Sequence, residues 1–172
     1  MKRLTTLCLI ALGACATSQD VWGGRIAARE TQAVQIAAVR YIAEHYEPSE
    51  YLGQPEAICL VVGQQAGRRD RIATALAARS EDMDPPASLL SRLRQVRPRV
   101  LPISACRWGE DLSEVLVDSG ARAIALGISH PQWVTPNLAR VTATLRENQR
   151  IWYRYRCSAE RGPDGWTIRR CL

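Results

Sequence analysis

The last third of the chain alternates. From Leu138 to Arg146, Val141, Ala143 and Leu145 take every second place, and Arg140, Thr142 and Thr144 lie between them. A side-chain period of two belongs to a strand, and one apolar face with one polar face belongs to an antiparallel sheet that covers a core. Ile151 to Cys157 repeats the pattern: Ile151, Tyr153, Tyr155 and Cys157 share one face, and Trp152, Arg154 and Arg156 the other. Trp166 to Cys171 follows after the polar turn Gly162-Pro163-Asp164-Gly165, so the two segments read as a hairpin. In one register of that hairpin Cys157 faces Cys171, with Cβ atoms close to disulfide reach. Shifted by one residue, Arg170 faces Cys157 instead.

Upstream, the period changes. Ile36, Val39, Ile42, Ala43 and Tyr46 recur at three- and four-residue steps, which predicts a helix over Thr31–Tyr46 that stops at Pro48. Ala57 to Val62 is a short, β-branched apolar run and reads as a buried strand. A short helix is expected over Asp70–Arg79. A second is expected to be capped by Asp84, with Leu89, Leu90 and Leu93 inward. Pro98 and Pro102 bracket an extended segment, and Val115–Val117 pairs with Ala121–Ser129 across Asp118-Ser-Gly120. Helix first and strands after predict a single α+β domain over 31–172, an N-terminal helix packed on a curved, mostly antiparallel sheet. That order of elements resembles the α+β rolls of the NTF2-like and cystatin-like families. The resemblance implies a pocket between helix and sheet and carries no function by itself.

The N-terminus reads as an address. Lys2 and Arg3 precede a short apolar run, Leu4 to Leu12, and then Leu12-Gly13-Ala14-Cys15. The run is too short to span ~30 Å of hydrocarbon and has the layout of an export signal. The final four residues resemble a bacterial lipobox. The resemblance implies that 1–14 are a signal peptide, that Cys15 is acylated, and that 15–30 form a tether between lipid and domain. Ala16, where an Asp would favour the inner membrane, points to the outer membrane, with the domain facing the periplasm. Ala14-Cys15-Ala16 also fits ordinary cleavage after Ala16, which would leave a soluble periplasmic protein.

Six cysteines are present. Cys8 leaves with the signal and Cys15 takes the lipid. Cys59, Cys106, Cys157 and Cys171 remain, an even set in an oxidising compartment, which favours two disulfides. Of three connectivities, Cys59–Cys106 with Cys157–Cys171 is the expected one. Closely paired ligands of the C-x₂-C kind do not occur, so no metal site is expected.

The formal charge is +6 and Lys2 is the single lysine, so the domain's cations are arginines. Phenylalanine is missing and asparagine is scarce, which fits a GC-rich genome. An exported chain rarely meets nucleic acid. Anionic lipid or lipopolysaccharide head groups, or an envelope protein, are the expected partners.

The residues do not assemble a catalytic signature. His45 and His130 read as a helix-surface residue and a turn residue. Glu81-Asp82-Met83-Asp84 and Glu110-Asp111 lack the pattern of a calcium loop. Gly63-Gln-Gln-Ala-Gly67 lacks the lysine of a phosphate loop. Cys106 with His130 as a thiol nucleophile conflicts with the even cysteine count. No catalytic residue and no cofactor are therefore expected. The binding candidates are Trp152, Arg154 and Arg156, a strand face that can stack on and pair with an anionic ligand. The reading is a non-enzymatic binding or scaffold lipoprotein of the envelope. Its alternatives are a small periplasmic enzyme with a carboxylate in a roll pocket, and an inhibitor or immunity-type protein.

Overall fold

The structure is a computed structural model that describes residues 19–49, 53–63, 76–77, 79 and 81–172. One long helix, α1 (Gln19–His45), packs on a curled, nine-stranded mixed sheet, an α+β architecture. The strands are β1 (Ala57–Val62), β2 (Arg99–Pro102), β3 (Cys106–Trp108), β4 (Glu114–Leu116), β5 (Arg122–Ile128), β6 (Gln132–Thr135), β7 (Leu138–Arg146), β8 (Trp152–Gly162) and β9 (Gly165–Cys171). A short helix, α2 (Ala87–Arg92), precedes β2.

The main path runs β2-β1-β5-β7-β8-β9. From β5 to β9 it is the antiparallel meander that the alternation predicts. Its other end is different: β1 lies between β2 and β5 and is parallel to both, pairing Ala57 with Arg99 and with Ala123. Strands in this position are covered on both faces and read as continuous apolar runs, and every residue of β1 is buried. One face joins the main core, where Ile58, Leu60, Ile124 and Leu126 meet Val34, Ala38, Val39 and Ile42 of α1. The other face builds a smaller core from Ala57, Cys59, Val61, Leu76, Ile103, Cys106, Leu116 and Ala125.

Two disulfides tie the sheet. Cys59–Cys106 joins β1 to β3 inside the smaller core, and Cys157–Cys171 joins β8 to β9. In the hairpin both registers occur. Cys157 faces Cys171 and Ser158 faces Arg170, then the pairing steps so that Ala159 faces Ile168. The bulge at Arg169 lets the cysteines meet at one end and the two-residue turn close at the other.

Several expectations are corrected. The helix starts at Gln19 and not at Thr31, so residues 19–30 of the expected tether are helical. Glu30 ties this stretch to the body by accepting the Trp166 indole N–H and pairing with Arg161 at 3.4 Å. Asp84 does not cap α2, whose N-cap is Pro86. Its carboxylate instead accepts the Ser104 N–H and hydroxyl at 3.0 and 2.6 Å. Leu89 and Leu93 are buried as expected, and Leu90 is half-buried. The Asp70–Arg79 helix lies mostly outside the described residues, with Leu76 and Ala77 helical. Gly63 closes β1 where a Cβ would lie 2.7 Å from the His130 backbone nitrogen, and Gln35 of α1 donates to its carbonyl at 3.0 Å. The loop from 64 onward is outside the described residues, as is Cys15.

Candidate functional site

The sheet face turned away from α1 carries the predicted candidates and gathers more. Pairing places Arg156 beside Thr142, Arg154 beside the buried Thr144, and Trp152 beside Arg146. Trp152 is 54% exposed, with the Arg154 guanidinium 6.0 Å from its ring. The same pairing adds Arg140 opposite Ser158, and Arg170 on β9 opposite the same serine. Arg140, Arg154, Arg156 and Arg170 are exposed across three adjacent strands. The acidic residue on this face of β8, Glu160, is held by Arg169 at 2.6 Å. Alternation places Arg140 on this face, but only the β7–β8 and β8–β9 registers show that it and Arg170 flank one serine.

Where this face meets the smaller core, Trp108 is flanked by two arginines, Arg79 at 3.8 Å and Arg146 at 5.3 Å from its ring. Arg79 also pairs with Glu114, whose side chain has no exposed surface. Burial lifts the Glu114 carboxyl above its ordinary value, and the charges of Arg79 and then Arg146 pull it back only in part. One Glu114 oxygen and the Arg79 Nε have no hydrogen-bond partner. Neither residue stood out in the sequence, because a lone glutamate beside Val115 looks like the wet side of a strand.

A second buried carboxylate closes the end of the sheet under α1. Glu147 accepts the Tyr46 hydroxyl at 2.7 Å and the Ser49 hydroxyl at 2.6 Å. The Tyr46 hydroxyl is held far above its ordinary pKa by burial first and the Glu147 carboxylate next. The Arg122 guanidinium, its three nitrogens buried, lies near the Tyr46 hydroxyl and opposes that rise.

Glu114 and Glu147 line neither of two clefts on the surface of the described residues. One cleft, about 610 Å³, runs between α1 and the start of β9 past Ala33, Ala37, Tyr41 and Trp166. The other, about 760 Å³, lies at the start of β1 and β2. His45 stacks on Tyr41 at 4.1 Å, and His130 contacts the Pro131 carbonyl. Cys106 is tied up in its disulfide. Asp111 is folded onto Ser113, whose hydroxyl and N–H hold its carboxyl below the usual range. Among the described residues no cluster of His, Cys, Asp and Glu is placed to hold a metal, and no helix is long and apolar enough to cross a membrane.

No protein-family model, no curated protein and no solved structure matches this chain.

Proposed function

We propose that this chain is a lipid-anchored protein of the bacterial envelope that binds rather than catalyses. Its arginine–tryptophan sheet face would take the anionic head groups of lipid or lipopolysaccharide. The observation that carries the reading is the spread of Arg140, Arg156 and Arg170 with Trp152 over adjacent strands, all facing out. Guanidinium groups pair bidentately with phosphate, and tryptophan sits well at a membrane interface. The anchor rests on Lys2, Arg3, the apolar run and Leu12-Gly13-Ala14-Cys15. An enzymatic reading would need a raised carboxyl in a cleft, and Glu114 is instead paired with Arg79 outside both clefts.

The test has two arms. Cys15→Ser should release the protein from the membrane fraction or leave it uncleaved; a wild-type protein that is soluble and begins at Thr17 removes the anchor. In the Cys15→Ser background, anionic vesicles should retain the protein at low salt and lose it as salt rises. Arg140→Ala, Arg156→Ala and Arg170→Ala together should abolish that retention without lowering the melting temperature. Retention indifferent to both salt and these arginines removes the face.

A further inference from the structure

The cleft at the start of β1 and β2 is rich in arginine. It is built from four places in the chain: Ala43 near the end of α1, residues 54–56 on the approach to β1, Arg94, Arg97 and Pro98 after α2, and Arg99, which opens β2. Three arginines therefore face one glutamate, Glu56. The parallel pairing of β1 with β2 sets Arg99 beside Ala57 and so brings the two stretches together. Arg97 is steadied by donating to the carbonyls of Arg94 and Val96 at 3.1 and 3.0 Å. The Arg94 and Arg99 side chains are exposed, and neither guanidinium makes a hydrogen bond or ion pair among the described residues. The Glu56 N–H donates to the Arg122 carbonyl at 2.9 Å, which fixes Glu56 beside the start of β5.

We propose that this cleft is a binding site for the phosphate group of a phosphorylated sugar or polyol. Three guanidinium groups around one concavity suit a compact dianion, because each offers paired N–H donors and none can lose its charge near neutral pH. Gln54 and Glu56, which also line it, supply an amide and a carboxylate, the groups that read hydroxyls. Pro55, Pro98 and Ala43 give apolar contact for the carbon skeleton. The cleft is of the size of small-molecule sites, ~300–1,000 Å³. The outer face of β7–β9 takes no part in it, so the two sites stand or fall separately.

The same phosphate chemistry occurs on a free metabolite and on a lipid head group. Calorimetric titration of the full chain at low ionic strength with glycerol phosphate and glucose 6-phosphate tests the first source. Vesicles of phosphatidylglycerol, titrated into the Cys15→Ser protein, test the second. Saturable binding of a soluble ester is expected, with Arg94→Ala and Arg99→Ala each weakening it by about tenfold or more. Arg94→Lys should recover only part of the loss, since a point charge replaces a planar fork. Glu56→Gln should tighten binding of inorganic phosphate by removing the opposing charge. Arg156→Ala should leave the binding of the soluble esters unchanged. Binding to vesicles alone that is lost in Arg94→Ala and Arg99→Ala assigns the site to a head group. The proposal is overturned if neither source binds saturably, or if binding is indifferent to Arg94 and Arg99 in variants whose melting temperatures match the wild type.

Discussion

Arg79 and Glu114 owe their state to one another. A carboxylate with no exposed surface is expensive to ionise, and Arg79 is the cation that touches it. Removing the cation leaves an uncompensated buried charge, so Arg79→Ala should destabilise by roughly 3–5 kcal/mol at neutral pH. Glu114→Gln, which removes the charge that has to be buried, should cost less. The pH dependence has a definite sign. A carboxyl whose folded pKa is raised contributes stability that is full below its unfolded value, about 4.3, and is lost as pH rises through the folded one. Without Arg79 the folded value climbs further. The gap between Arg79→Ala and wild type should therefore be widest near pH 7 and narrow as pH falls toward 4.5. Urea melts at several pH values read it directly, and a gap constant with pH would mean that Arg79 acts only by packing on Trp108.

At the level of elements, periodicity was a good guide to faces and a poor one to ends and directions. Alternation places Tyr153 and Tyr155 inward on β8, and they do lie opposite Leu145 and Ala143 on the core side. Only Tyr155 packs into the core; Tyr153 is 39% exposed. The reason is where α1 stops. Tyr46, the first residue past the helix, already reaches Glu147, so the start of β8 runs beyond the helix that would cover it. Tyr155→Ala should cost about 3 kcal/mol, near the lower end for large aromatic truncations. Tyr153→Ala should stay within about 1 kcal/mol, and chemical denaturation of the two variants checks the order. The early chain was less legible. The β1 run announces a buried strand, but nothing in six apolar residues says that its neighbours run parallel to it. The stretch before Thr31 carries glycines and little apolar pattern, so its helix was unreadable; the contacts of Glu30 with Trp166 and Arg161 come from the far end of the chain. Trp152, Arg154 and Arg156 were readable as one strand face, because they alternate within β8. The cleft proposed for phosphate was hidden, because its arginines and Glu56 lie on separate segments that only the fold brings together.

At the scale of the whole molecule, the two disulfides close loops of very different length, spanning 14 and 47 residues. In the chain-entropy model the short one contributes about 3 kcal/mol and the long one about 4. Oxidative refolding with acid-trapped intermediates should show Cys157–Cys171 first, since its hairpin is local, and Cys59–Cys106 last. The opposite order would mean that the smaller core forms ahead of the meander. The central place of β1 has a consequence for biogenesis as well. A chain made and delivered N-terminus first presents Ala-Ile-Cys-Leu-Val-Val early, yet Arg99 and Ala123, the residues Ala57 must pair with, arrive much later. In that interval the segment is an uncharged, β-prone hexamer without partners, the kind of sequence that adds to its own copies. Folding yield should therefore fall with rising concentration of newly emerged chain, and a holding chaperone that shields β1 until β5 appears should restore it.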